Sequence, residues 1–355
     1  MRKVERIDPA TVDVLRLRDA LAHALSGGPA VALTSISHAH VDENVALLIE
    51  TGGSTGAPKI VALSAAAMRV SAQLSNTALG ATKSDHWSLT LPLHHIAGIN
   101  QILRSIDLDT DPVTTGGEFI SIVPTLLYRA LQKRDASFDQ LLQAKKVLIG
   151  GAAVSRELLE AGKLAGIPLV TSYGMTEMCG GCVYDGTPLP GVEIKITDSK
   201  KVALKGAMRA EGYFGDEIAT QKSFIDGWFI TSDEGEIDSQ GKLIVYGRAD
   251  DVIISGGEKI SPTAVVQILQ SIFPQTEIYV LGVPDAEWGQ SLRVVMALSD
   301  EIAGITLSHI REMVGTTLSK VAAPRSLLLL SEIPTKSNGK IDLQKLASAQ
   351  PTQAI

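Results

Sequence analysis

At 355 residues, with 45% apolar and 20% charged residues, the chain has the composition of a folded globular protein and room for two domains, or one large domain with an appendage. A formal net charge of -7 argues against a general nucleic-acid binder, because backbone phosphates demand a basic face. The polar start Met1–Arg6 leads into no signal-type apolar core and no stretch reaches bilayer-spanning length. The positive mean hydropathy of +0.17 therefore reads as a Val/Ile/Leu/Ala-rich interior of a soluble, cytoplasmic protein.

The first half alternates strands with helices. Val14, Leu15, Leu17, Leu21 and Leu25 recur near helical spacing over 11–26 and are stopped by Gly27-Gly28-Pro29. Asn44–Glu50 reads as a buried strand, a Gly-rich loop follows, and Ile60–Leu63 returns as a second strand. Ser64 stands at an N-cap before an Ala-rich helix over 65–79. Leu89–Leu93 is a strand expected to run into His94-His95, and Phe119–Val123 is another, with Pro124 opening a helix over 125–133. Lys146–Ile149 is a strand ending at Gly150-Gly151, Ser155 caps a helix over 156–165, and Pro168–Ser172 is a strand leading into Tyr173-Gly174-Met175-Thr176-Glu177. This alternation predicts an α/β fold: a large N-terminal domain of mixed, partly parallel sheets with helices.

From Gly186 the texture changes. Val192–Ile196, Trp228–Thr231 and Lys242–Tyr246 are short alternating runs separated by turns such as Asp226-Gly227, which predicts a small antiparallel β subdomain. A smaller α+β unit follows, with helices over 262–272 and 306–319 and strands near 277–282, 292–298 and 326–330. The boundary is placed at Asp250, giving domains 1–249 and 250–355, and the tail after Leu346 is expected to fray.

Two segments carry chemistry. Loop 51–59 offers the hydroxyls of Thr51, Ser54 and Thr55, glycines at Gly52, Gly53 and Gly56 that let backbone N–H groups face an anion, and the charge of Lys59. It is not a Walker A loop, since Pro58 precedes the lysine and Ile60 follows it. Near the C-terminus, Ser337-Asn338-Gly339-Lys340 puts a lysine just after a Gly-marked bend. Cys179 and Cys182 are the chain's two cysteines. Zinc needs about four ligands, and a thioredoxin-like pair belongs in a much smaller fold. They are read as small residues beside a Gly-Gly turn, and His38 and His40 as surface residues.

Taken with the motifs in their order, the chain resembles the adenylate-forming superfamily of acyl-CoA synthetases, luciferases and peptide-synthetase adenylation domains. The resemblance runs from about 41 to 346. It is carried by loop 51–59, Leu91-Pro92-Leu93-His94-His95, Gly150-Gly151-Ala152, Tyr173 to Glu177, Trp228-Phe229 through Asp233, Gly247 to Asp251 with Ser255-Gly256-Gly257-Glu258, and Ser337 to Ile341. Within the superfamily, Tyr173 through Cys182 and Ser121-Ile122-Val123-Pro124-Thr125 resemble the short-form o-succinylbenzoate–CoA ligases of menaquinone biosynthesis.

The resemblance implies a two-step ligation that uses ATP, Mg²⁺ and coenzyme A, with a small, mobile C-terminal domain. Lys340 would stabilise the reacting phosphate and carboxylate, Thr176 would bond the α-phosphate and Glu177 would hold Mg²⁺. The loop residues, Gly150, Gly151, Ala152, Tyr173, Gly174 and Met175 would cradle the nucleotide. Asp233 and Arg248 would take the ribose hydroxyls, Asp250 would be the hinge, and Gly256 and Gly257 would admit the pantetheine thiol. His95, Ser121, Thr125 and Gly174 would line the acyl pocket. The second carboxylate of o-succinylbenzoate needs a cation or donors. Ser121 and Thr125 are candidate donors, Arg104 and Arg129 candidate cations. Typical members are longer, so pocket walls supplied elsewhere by a peripheral N-terminal subdomain are in question. Ser232 stands where glycine is usual, as does Ile60. Another acyl- or aryl-CoA synthetase, a carrier-protein-loading enzyme and a nucleotide-binding regulator are the competing readings. Nucleic-acid binding and membrane insertion are not expected, and a homodimer is left open.

Overall fold

The computed structural model describes residues 1–51, 58–248, 252–274, 276–335 and 341–355. The chain forms two compact units. One comprises Met1–Ala152 with Lys163–Val245, the other Ala153–Gly162 with Tyr246–Ile355.

The first unit is built on three sheets. In the first, strand Val45–Glu50 lies between Ile60–Ser64 and Ala30–Ala32, with Arg2–Arg6, His40–Val41 and Gly212–Tyr213 completing the row. Val45 through Ile49 is buried at every position, which suits a strand covered on both faces. The second sheet runs Trp87–Ser88, Phe119–Ile122, Lys146–Gly150 and Leu169–Met175 in parallel, then turns antiparallel through Gly180–Tyr184 and Thr187–Pro188. Helices Val14–Leu25, Ala65–Leu79 and Ile96–Leu108 share one apolar core with both sheets, through Leu17, Leu21, Met68, Ile99, Ile102, Leu47, Trp87 and Phe119. Ser64 caps Ala65–Leu79 as its position predicts, its hydroxyl accepting from Ala67 N at 3.3 Å, an arrangement worth about 1 kcal/mol. The third sheet is antiparallel through Glu193–Ile196, Lys201–Lys205, Trp228–Ile237 and Phe224–Ile225, and Leu243–Arg248 also pairs with Trp228–Ile237. Its Asp226-Gly227 turn has both residues at positive φ, 50° and 81°, the conformation that two-residue hairpins require.

In the second unit, strand Gly289–Ala297 pairs with Ile278–Asp285, Ser326–Leu330 and the hairpin Ile253–Ser255/Glu258–Ile260. Alternate residues serve opposite faces. Leu292, Val294 and Met296 join the core under helices Pro262–Ile272 and Leu307–Thr317, whereas Val295 and Ala297 pack with Leu281, Ile333 and Leu346. The large mixed α/β part with an antiparallel subdomain and the small α+β part are as expected. No helix among the described residues is long and apolar enough to cross a membrane.

Several local expectations are corrected. The first helix starts at Val14, where Asp13 caps it. The strand expected over Leu89–Leu93 is only Trp87–Ser88, because the Gln101 side chain accepts from Thr90 N and Leu91 N at 3.2 and 3.3 Å in place of a sheet neighbour. The tail is ordered rather than frayed. Helix Leu343–Ser348 ends on the buried Arg293 guanidinium, which donates to Leu346 O, Ala347 O and Ala349 O at 2.7–2.9 Å, and Gln353–Ala354 pairs with Ser326–Leu330.

Candidate active site

The loop 51–59 closes the hairpin between Val45–Glu50 and Ile60–Ser64. Thr51 N donates to Lys59 O at 2.8 Å and the Thr51 hydroxyl reaches the same carbonyl at 3.4 Å, so the loop's two ends are tied. Gly52, Gly53, Ser54, Thr55 and Gly56 lie outside the described residues, as do Asp250 and Lys340.

Lys59 is exposed, and its Nζ sits 4.3 Å from the centroid of the Tyr213 ring. Tyr213 was not singled out by the sequence. Its strand Gly212–Tyr213 pairs with Ile60–Ser64 and places Tyr213 opposite Val61. The Tyr213 hydroxyl donates to Glu177 Oε1 at 2.8 Å. Thr176 and Glu177 lie in a one-turn 3-10 segment, Thr176–Met178, closed by Cys179 N on Thr176 O at 3.0 Å and pinned by Ala210 N on Glu177 O at 2.8 Å. Lys59 and Glu177, 118 positions apart in sequence (177 − 59), thus touch the same phenol.

Tyr173 and Asp233 also meet. The Tyr173 hydroxyl donates to Asp233 Oδ2 at 2.7 Å, joining the second sheet to the third. Burial, and then the neighbouring Asp233 carboxylate, push the Tyr173 phenol far above its ordinary pKa, so it remains a donor. Asp233 N in turn donates to the Thr231 hydroxyl at 3.0 Å, and that hydroxyl bonds Val202 O at 2.8 Å. Gly174 has no room for a side chain, since a Cβ there would lie 1.9 Å from Gly180 O. Gly151 adopts φ +79°, and it and Ala152 are exposed just beyond strand Lys146–Gly150. Open α/β sheets bind ligands at the carboxyl ends of their parallel strands, where Gly150, Gly151 and Ala152 stand together with Thr176.

A third group lies on helix Ile96–Leu108 and the neighbouring strand Phe119–Ile122. Arg104 is buried, at 3% exposure. Its two terminal nitrogens reach Ser121 Oγ and Tyr184 Oη at 3.4 Å each, its Nε has no hydrogen-bond partner among the described residues, and its guanidinium carbon lies 4.5 Å from the Trp87 ring centroid. Burial holds the guanidinium below its ordinary pKa, partly offset by Tyr184. No carboxylate pairs with it among the described residues. The structure joins Arg104 to Ser121, and the further polar neighbours Thr90, Gln101 and Tyr184 carried no recognisable sequence pattern. Thr125 is buried in the first turn of helix Pro124–Lys133, on which Arg129 also lies. His95 is the N-cap residue of Ile96–Leu108 without a side-chain cap bond, its ring 4.2 Å from that of His94.

In the second unit Gly256 and Gly257 form the two-residue turn of the Ile253–Ser255/Glu258–Ile260 hairpin, at φ +55° and +83°. A Cβ on Gly256 would lie 2.5 Å from the Trp288 ring. Arg248 is exposed at the end of strand Leu243–Arg248. Cys179 and Cys182 are both fully buried, and burial pushes the Cys182 thiol up to about 12 and that of Cys179 higher still, which removes the thiolate that redox exchange needs. His38 and His40 are exposed, as expected.

A carboxylate on a fixed turn, beside a lysine and an anion-type loop, suits a hard cation shared with phosphate oxygens. No cluster of three or more His, Cys, Asp or Glu side chains that could hold a metal occurs among the described residues. Glu177 offers the hard oxygen donor that magnesium takes.

The family model described as AMP-binding enzyme matches residues 113–213, and that of the AMP-binding enzyme C-terminal domain matches 267–340. The chain is 34% identical over 357 residues to a probable 2-succinylbenzoate–CoA ligase of Mycobacterium tuberculosis, covering 94% of this chain and 90% of that protein. It is similar to the o-succinylbenzoate CoA synthetase of Bacillus subtilis solved in complex with its acyl-adenylate intermediate, with TM-score 0.72, 25% identity and coverage of 99% and 84%. The same Bacillus enzyme solved with ATP and a magnesium ion gives TM-score 0.70, 26% identity and coverage of 95% and 82%. The chain belongs to the AMP-binding enzymes.

Proposed function

We propose that the protein joins o-succinylbenzoate to coenzyme A in an ATP-dependent, AMP-forming reaction. A carboxylate oxygen of the acid attacks the α-phosphorus of ATP, the α–β bridging bond breaks, and pyrophosphate leaves an acyl-adenylate. The coenzyme A thiol, losing its proton, then adds to the acyl carbon and expels AMP, leaving the thioester. Bringing anions together makes positioning and charge neutralisation the main catalytic tasks.

The observation that carries the substrate reading is Arg104, a buried guanidinium without a carboxylate partner among the described residues and hydrogen-bonded to Ser121. A simple aryl or alkyl acid gives such a charge nothing to do; a dicarboxylic acid supplies the missing counter-charge. In this reading Arg104, Ser121 and Thr125 receive the carboxylate that is not activated, and His95 borders the acyl group. Tyr173 with Asp233 hold adenine and ribose, Arg248 adds to the ribose contacts, and Gly150, Gly151, Ala152, Gly174 and Met175 shape the nucleotide pocket. Loop 51–59 with Lys59 takes the leaving phosphates and Thr176 the α-phosphate. Glu177 would hold magnesium, which when bound neutralises phosphate charge. Lys340 stabilises the adenylation step, Asp250 is the hinge between 1–249 and 250–355, and Gly256-Gly257 admits the pantetheine arm. Dependence on ATP and coenzyme A suits a cytoplasmic setting.

The test is a panel of acids with ATP, Mg²⁺ and coenzyme A, following AMP, pyrophosphate and thioester together. o-Succinylbenzoate is expected to exceed benzoate and simple aliphatic acids by at least about 100-fold in kcat/KM, the order expected of a buried charge-assisted contact. Equal turnover of monoacids, or transfer only to a carrier-protein thiol, would reject the proposal.

A further inference from the structure

We infer that Tyr213 is a positioning residue that sets the carboxylate of Glu177 for its cation and the ammonium of Lys59 for the phosphates; the inference rests on the function proposed above. Tyr213 sits on the short strand Gly212–Tyr213, paired with Ile60–Ser64 directly after the loop lysine. The residue is 8% exposed and its ring meets the Phe224 ring edge-on at 5.5 Å, so the ring plane is set by packing. From that fixed ring two contacts leave in different directions: Lys59 Nζ over the face at 4.3 Å, and the hydroxyl onto Glu177 Oε1 at 2.8 Å. The backbone under Glu177 is held separately, by Ala210 N on its carbonyl.

A carboxylate on a one-turn 3-10 segment has free χ angles unless something orients it, and a phenol is a neutral donor that does so without cancelling its charge. A carboxylate so oriented needs less reorganisation to meet a hard cation, which is the usual role of a hydrogen bond behind a metal ligand. The ring face attracts the Lys59 ammonium while leaving that group's own donors available for phosphate oxygens. The same residue therefore couples cation and phosphate recognition, although its local sequence (Glu211-Gly212-Tyr213-Phe214) gives no hint of either.

The experiment is calorimetric titration of the full chain with ATP at stepped Mg²⁺ concentrations and without Mg²⁺. Tyr213→Phe keeps the ring and the Lys59 contact. The Mg²⁺ concentration for half-maximal enhancement of ATP binding is expected to rise about tenfold, with Mg²⁺-free ATP binding and the thermal midpoint unchanged. In a Glu177→Gln background the same substitution should produce no further rise. Tyr213→Leu, which also removes the ring, should weaken Mg²⁺-free ATP binding roughly threefold beyond Tyr213→Phe, the worth of an exposed cation–π contact. An unchanged Mg²⁺ requirement in Tyr213→Phe, or losses that add in the double variant, overturns the Glu177 role. Equal Mg²⁺-free binding by the Leu and Phe variants overturns the Lys59 role. If wild-type ATP binding ignores Mg²⁺, the cation reading of the proposed function fails and this inference with it. A Mg²⁺-dependent wild type with an indifferent Tyr213→Phe variant rejects Tyr213 alone.

Discussion

Replacing Arg104 by methionine should separate binding from stability. The residue is 3% exposed and the two hydrogen bonds of its guanidinium are long, 3.4 Å each. Nε has no partner among the described residues and burial lowers the guanidinium pKa, so this cation, which arginine keeps in proteins, is poorly compensated. Removing it relieves that penalty, and volume-matched apolar replacement of buried charges is often neutral or stabilising by about 1–4 kcal/mol. Against this stand the lost stacking on Trp87, worth about 1 kcal/mol, and the Ser121 hydroxyl left without that donor, worth about another. Tyr184 keeps Ser75 at 2.6 Å. The net change in unfolding free energy is thus expected within about 1–2 kcal/mol of zero. Catalysis should respond very differently. Loss of a buried, charge-assisted contact to the free carboxylate removes about 3 kcal/mol, or roughly 100-fold in kcat/KM for o-succinylbenzoate. Monocarboxylic acids should lose little. The assays are urea unfolding and the acid panel, run on wild type, Arg104→Met and Arg104→Lys, the last retaining charge without the guanidinium fork. Loss of stability well beyond about 2 kcal/mol with unchanged acid preference would refute the reasoning and make Arg104 structural.

Lys340→Ala is expected to abolish adenylation, read as ATP–pyrophosphate exchange, while largely sparing thioester formation from supplied acyl-adenylate; equal loss of both half-reactions counts against its role. Cys179 and Cys182 should resist alkylation near neutral pH in the native protein and react together on unfolding, since both are buried and their thiols are pushed up; fast native labelling would contradict the packing. Asp85, whose side chain is 2% exposed, bonds Lys145 and the amide and hydroxyl of Thr82. Burial raises its pKa, but these partners outweigh it and hold the carboxylate below its unperturbed 3.8. The resulting stabilisation is complete above that value and lost as pH falls through the lower native pKa. Asp85→Asn should therefore shallow the acid limb of the stability profile, and an unaltered limb would show that the pair contributes nothing there.

Much of the molecule is written locally. Ser64 at an N-cap, Pro124 opening a helix, Asp226-Gly227 and Gly256-Gly257 at hairpin turns are short-range instructions that act through φ, ψ and nearby N–H groups, and the structure follows them. The misses share a cause. The Leu89–Leu93 segment has strand composition, yet the Gln101 side chain, on the following helix, accepts from its Thr90 and Leu91 N–H groups. The tail after Leu346 has weak propensity, yet Arg293 from a distant strand collects its helix-end carbonyls. In both, a side chain remote in sequence supplies hydrogen bonds that propensity does not register.

The functional site divides in the same way. Loop 51–59, Tyr173 to Glu177, Asp233 and the C-terminal lysine segment are recognisable from residue type and order, because the phosphate and ribose recognition proposed for them would need such groups within short stretches. Only the tertiary structure decided what those groups lean on: Tyr213 between Lys59 and Glu177, Asp233 on the Tyr173 hydroxyl, and Arg104 buried against Ser121 and Tyr184. Such partners come from different strands and helices, separated in sequence. Their meeting depends on sheet register and core packing, which no local pattern encodes.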